Sequence, residues 1–187
     1  FEEAFARIWG GDAENDGFNK LVLGAGLTWR QVALLRGYCK YLLQTGVPFS
    51  QSYVEETLNR YPLLARLLVE LFEARFDPAT GNESKAQIKQ GQEYFADQLK
   101  GLAGDDEATA KTLAALVDAR SGKREQQVEA AHKALIKLMD RVSSLDDDRI
   151  LRGFIGVIEA TLRTSYYQTG ADGKPAHTIS FKLDSAQ

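Results

Sequence analysis

The chain has 187 residues, of which 26% are charged and 44% hydrophobic, with four prolines; this suits one folded domain and excludes a disordered segment. A formal charge of −3 argues against a broad nucleic-acid surface, which needs a surplus of Lys and Arg on one face. No run approaches the roughly 18–20 apolar residues of a membrane span, and Phe1-Glu2-Glu3-Ala4 lacks the pattern of a signal peptide, so a cytoplasmic protein is expected.

Ala4, Phe5, Ile8 and Trp9 lie at helical spacing and predict a short helix that Gly10-Gly11 stops. After an acidic loop, Asn15 or Asp16 caps a second short helix carrying Phe18, Leu21 and Val22, which ends at Gly24-Ala25-Gly26. Thr28-Trp29-Arg30-Gln31 has the form of a capping box: the threonine oxygen accepts from the backbone three residues on while the glutamine reaches back. From there to Gln44 apolar residues surround most of the helix, which predicts a central position. The lone cysteine, Cys39, lies on it beside Tyr38, Tyr41 and Leu42, so no intrachain disulfide is possible and a buried structural thiol is expected. Gly46-Val47-Pro48 ends this helix, and Ser50 or Ser52 caps the next, which runs to Tyr61. Pro62 then opens a helix with a wide stripe of Leu64, Leu67, Leu68, Leu71, Phe72 and Phe76, leaving Arg66, Glu70 and Glu73 for a wet face. The turn sequence Asp77–Asn82 closes it.

Between Glu83 and Ser144 the chain turns polar and its apolar residues thin to narrow seams such as Val128, Ala131, Leu135, Leu138 and Val142, at a period near 3.5. Breaks near Gly101–Gly104 and Ser121-Gly122 predict about three helices forming an antiparallel arm that projects from the body. Asp146-Asp147-Asp148 begins the last long helix, whose apolar stripe runs from Ile150 to Leu162. Arg149, Arg152, Gly156, Glu159 and Arg163 share another of its faces, with Glu159 and Arg163 in the favourable i,i+4 order. Residues His177–Asp184 alternate as a half-buried strand with no partner in the chain. The expected fold is therefore all-α: one helical domain with a compact body of residues 1–80 and 145–176, an arm over 81–144 and a single strand over 177–184. A start without Met and an end on a strand suggest a piece of a larger chain.

No catalytic, cofactor or metal site emerges. Leu21–Gly26 begins like a dinucleotide turn, but Trp29 occupies the third glycine position and no acidic residue follows about 20 positions on, so a helix-to-helix turn is the better reading. His132 and His177 have no second ligand at metal spacing. The acidic runs at 105–107 and 146–148 fall where helices begin. Arg149, Arg152 and Arg163 suit either an anion or acidic partner, or a solvated salt-bridged face.

Two stretches carry a resemblance. Glu14–Leu23 with Gly26–Val32 and Leu34-Leu35-Arg36, and Asp148–Arg152 with Ile158–Thr164 and Ile179–Asp184, are similar to the large multidomain bacterial NAD-dependent glutamate dehydrogenases. Phe49-Ser50-Gln51, Tyr61-Pro62 and Leu71–Pro78 agree in order, whereas 81–144 looks variable. The resemblance implies an internal helical segment N-terminal to the catalytic domain, whose catalytic and NAD-binding residues match no position here. It implies a non-catalytic scaffold or coupling role, no cofactor in this segment and NAD for the whole enzyme. The partners it implies are other domains and subunits of a homo-oligomer, with no nucleic acid and no membrane. Trp29, Arg30, Arg36, Arg149, Arg152 and Arg163 are the interface or coupling candidates, and Arg149 and Arg163 are candidates for transmitting an effector signal. A helical interaction module of an unrelated cytoplasmic protein is the second reading.

Overall fold

In the computed structural model, residues 2, 6, 9–11, 14–170, 173–176 and 178–184 are described. Most of the expected first helix (Ala4, Phe5 and Ile8) and His177 lie outside these residues. Among them the chain forms a 3-10 turn at Gly17–Lys20, then α1 (Leu21–Gly24), α2 (Trp29–Gln44), α3 (Gln51–Arg60), α4 (Pro62–Phe76), α5 (Lys85–Ala103), α6 (Glu107–Ala119), α7 (Arg124–Met139) and α8 (Leu145–Ala160). A two-stranded antiparallel ribbon of β1 (Thr161–Thr164) and β2 (Phe181–Leu183) follows. The mainly helical class holds.

Local chemistry sets the helix starts. Thr28 Oγ1 accepts from the Gln31 backbone at 3.2 Å while Gln31 Oε1 accepts from the Thr28 backbone at 2.9 Å, forming the expected capping box. Ser50, Ser84, Asp106 and Ser144 cap α3, α5, α6 and α8 by accepting from the backbone N–H three residues on, each contributing about 1 kcal/mol. Pro62 stands at the first turn of α4, where its missing N–H costs nothing. Gly26, at φ +63, makes the left-handed turn between α1 and α2.

The core runs through the middle of the molecule. Phe18, Leu21, Leu34, Leu35, Tyr38, Leu58, Leu67, Leu68, Phe72, Phe154 and Ile158 are all fully buried, so α2 and α4 lie at the centre and α8 crosses both. Tyr38 meets Phe181 at 4.5 Å between ring centroids, which fastens the ribbon to α2. Gly37 permits that approach: a Cβ there would stand 3.2 Å from the Phe181 ring.

Four expectations need correction. The stretch over 81–144 does not project. Helix α7 makes the most extensive helix–helix contact of the fold with α4, and Phe95, Leu99, Ala131, Leu135 and Met139 all join the core. The narrow seams are narrow because α4 meets them with a mixed surface. Arg66 and Glu70, expected on a wet face, are 6% and 3% exposed beneath α5–α7. The Phe95 ring lies 5.6 Å from the Arg66 guanidinium and 4.8 Å from that of Arg120, and Arg120 pairs with Glu70. Helix α8 stops at Ala160, so Arg163 sits on a strand and makes no i,i+4 pair with Glu159. The C-terminal strand does have a partner within the chain: Thr161 lies opposite Leu183 and Thr164 opposite Phe181. Residues 161–164 read as helix because Leu162 continues the apolar stripe by spacing alone.

Candidate functional site

The arginines divide sharply by where their guanidinium groups go. Arg30, on the first turn of α2, is buried and donates to the Tyr166 carbonyl at 2.5 Å and the Ala176 carbonyl at 2.9 Å, while lying 4.9 Å over the Tyr166 ring. Arg36, one face further along, holds Asp16 in a two-pronged ion pair at 2.6 and 2.8 Å and also donates to Asn19. Trp29 is half-buried and has interactions of its own. Arg30 and Arg36 therefore brace the chain's own segments.

Arg149, Arg152 and Arg163 are exposed. Arg149 reaches Asp146 only at 3.9 Å, and Arg152 pairs with Asp148 at 2.8 Å, both within one turn of α8. Arg163 belongs to β1, so the three do not form one cluster along a single helix.

Several bracing residues escaped the sequence reading. Arg75, near the end of α4, donates to the carbonyls of Glu159 and Thr161 at 2.9 and 3.3 Å and so caps the C-terminus of α8. Arg124, the first residue of α7, donates to four carbonyls at the C-terminus of α4: Ala74, Arg75, Asp77 and Thr80, at 2.7–3.2 Å. Asp147, in the first turn of α8, is 1% exposed and accepts from Thr57 at 3.0 Å and Arg60 at 2.5 Å. Burial alone would raise its pKa, but hydrogen bonds from Arg60, Thr57 and Tyr61 outweigh that and hold the carboxyl below its ordinary value. Only Asp147 left a trace in sequence, as one of a capping run. Arg75 and Arg124 act on carbonyls, which carry no residue signal.

A groove of about 570 Å³ opens where α4, α7, α8 and β1 meet, lined by Arg75, Phe76, Arg124, His132, Glu159 and Leu162 among others. Its two arginines already hold carbonyls, and His132 stands 3.6 Å from Glu159, so no cation there is left over for an anionic ligand. Burial, with Glu55 and Asp16 nearby, pushes the Cys39 thiol up to about 12, which keeps it protonated as a core side chain. Among the described residues no group of three or more His, Cys, Asp or Glu could hold a metal, and no helix is long and apolar enough to cross a membrane.

Fold and site together define a helical domain whose buried charges hold its own parts in register. Residues 13–78 match the family described as glutamate dehydrogenase, helical motif 3, and residues 134–187 match bacterial NAD-glutamate dehydrogenase, catalytic domain. The chain is 38% identical over 187 residues to the NAD-specific glutamate dehydrogenase of Halomonas elongata, covering all of this chain and 9% of that protein. It is 41% identical over 169 residues to the enzyme of that name from Mycobacterium tuberculosis, covering 90% of this chain and 8% of that one. Against the Pseudomonas aeruginosa protein of the same name the figures are 37% over 183 residues, 98% and 9%. No solved structure matches. The chain belongs to the bacterial NAD-specific glutamate dehydrogenases, and it spans under a tenth of the length of these curated relatives. The resemblance implied a segment wholly N-terminal to the catalytic domain; the match over 134–187 brings the end of α7, α8 and the ribbon under the catalytic-domain description.

Proposed function

We propose that this segment is a non-catalytic coupling piece, which joins the helical-motif part of a glutamate dehydrogenase rigidly to the first elements matched by its catalytic domain. One observation carries the reading: buried and partly buried polar contacts cross from residues 13–78 to residues 134–187 at five points. Arg30 reaches Tyr166 and Ala176; Tyr38 Oη lies 2.9 Å from Thr161 Oγ1; Thr57 and Arg60 hold Asp147; and Arg75 caps α8. Directional hydrogen bonds of this kind fix register as well as proximity, so a displacement of α2 or α4 moves α8 and the ribbon with it.

In this reading the full-length enzyme oxidises L-glutamate with NAD and water to 2-oxoglutarate and ammonium. NAD binds elsewhere in the chain, and the partners of this segment are other domains and subunits of a homo-oligomer in the cytoplasm. Two experiments test it. Calorimetry of the 187-residue chain with NAD should show no binding; saturable binding would overturn the non-catalytic assignment. In the full-length enzyme, Tyr38→Phe with Arg75→Met should lower kcat several-fold while leaving the Kd for NAD unchanged. Wild-type kcat in that variant would dispose of coupling.

A further inference from the structure

Phe181 turns inward onto Tyr38, so the period-two alternation of a strand turns its neighbours Ser180 and Lys182 to the outer face of the ribbon. Lys182 lies directly opposite Arg163. Two pairs further along, past Thr164 and Phe181, Ser165 faces Ser180: the Ser165 N–H donates to the Ser180 carbonyl at 3.1 Å, and the Ser180 N–H donates to Ser165 Oγ at 2.9 Å. Directly opposed residues share a face, so two cations and two hydroxyls form a compact square, with the Ser165 and Ser180 oxygens 3.0 Å apart. Together with Gln168 they line a depression of about 240 Å³.

Neither Arg163 nor Lys182 has an ion pair or hydrogen bond through its side chain among the described residues, and both are exposed. Asp184, the acidic residue nearest Lys182 in sequence, is not without a partner of its own. Like charges set directly opposite on a ribbon repel and destabilise it. The chain has 26 acidic residues against 23 basic ones, so two free cations side by side are not the overflow of a basic surface.

We propose that this face binds a small doubly charged oxyanion, the two cations bracketing its charge and Ser165, Ser180 and Gln168 supplying hydrogen bonds. Two unit cations set directly opposite one another call for two negative charges, and guanidinium and ammonium both suit phosphate or carboxylate oxygens. The volume falls below the roughly 300–1,000 Å³ of sites that enclose drug-sized ligands, which selects inorganic phosphate or a short dicarboxylate over a nucleotide. The same oxyanion chemistry has two sources: a free anion, or carboxylates presented by the rest of the full-length chain.

The test is a titration of the ¹⁵N-labelled 187-residue chain with phosphate, and separately with succinate, at ionic strength held constant with sodium chloride. The expected result is saturable shifts of the Arg163, Ser165, Ser180 and Lys182 amides, weakened at least tenfold by Arg163→Gln or Lys182→Gln and unchanged by Arg149→Gln. Without added anion, Lys182→Gln should unfold at the same or a higher temperature than wild type, since it removes a like-charge contact. In the full-length enzyme, acetylation of Lys182 read by mass spectrometry separates the sources: slowing only when phosphate is added marks a free anion, and slowing without it marks carboxylates of the chain. Shifts that match those of chloride, or that persist in both variants, overturn the proposal.

Discussion

Helix α8 carries charge on two sides, and the two sides behave differently. On the inner side Asp147 is sealed against α3 by Thr57 and Arg60, and the carbonyls at the far end of the helix are held by Arg75. On the outer side Arg149 and Arg152 are 61% and 53% exposed and reach only their own helix. Both sides carry charged groups on one helix, and what separates them is access to water. An outer arginine that loses its partner is rehydrated at once, whereas a group facing the seam is left without a hydrogen bond and costs about 1–3 kcal/mol. The seam should therefore dominate stability, and the outer face should be nearly silent.

The largest effect is expected at Arg124, whose guanidinium donates to backbone carbonyls. Arg124→Met strips four carbonyls at the end of α4 of their donor and loosens α7 from the helix it covers, a loss of about 3 kcal/mol. Urea unfolding followed by circular dichroism measures it. A loss under about 0.5 kcal/mol would place Arg124 with the outer arginines and break the comparison. Arg30→Met, which abandons two carbonyls and the Tyr166 ring, should cost about 2 kcal/mol by the same assay.

This contrast also explains what could be read in advance. Caps were legible because their residues lie within one turn of the backbone they serve, as at Thr28 and Gln31. The body's apolar stripes were legible from spacing, and Leu67, Leu68, Leu71 and Phe72 are fully buried. The seam was not legible. Arg66, Glu70 and Arg120 look solvated in any helical projection, and only tertiary packing under Phe95 reverses that. The pairing of β2 was hidden for the same reason: its partner is four residues that continue the pattern of a helix, ended at Ala160 where the ribbon claims the next residues. Among the interface candidates, residue type alone could not separate Arg30 and Arg36, which are internal braces, from Arg149, Arg152 and Arg163.

Titration gives the comparison a sign. Asp147 is held below its ordinary value, so its contribution is complete above about pH 4 and is lost as pH falls through the lower folded value. Glu73, on α4, is pushed the other way by burial and by neighbouring Glu70, although Gln31 donates to it at 2.6 Å. Its folded form holds the proton more tightly, so stability falls as pH rises from about 4.3 through the raised folded value. Unfolding free energies from pH 3 to pH 7 should show Asp147→Asn flattening the acid limb, at a cost of about 1 kcal/mol near neutrality, and Glu73→Gln flattening the limb above it. If both substitutions altered the same limb, the two carboxylates would not occupy opposed environments.

The smallest effect is the most informative about the outer face. Arg152 pairs with Asp148 in an i,i+4 arrangement, and Arg149 sits at the edge of ion-pair distance from Asp146. Surface pairs of this kind contribute a few tenths of a kcal/mol and weaken with salt, because water screens both partners and two long side chains lose freedom to meet. Arg149→Gln and Arg152→Gln should each change the unfolding free energy of the 187-residue chain by less than about 0.5 kcal/mol, a difference that shrinks further in 0.5 M sodium chloride. The same substitutions in the full-length enzyme then acquire a clear meaning. Residues that do nothing for the fold of their own helix can lower activity or subunit association only through what covers them, so a defect confined to the full-length protein assigns this face to a partner surface. A loss of about 2 kcal/mol already in the 187-residue chain would instead show that the outer arginines brace the helix as the inner ones do.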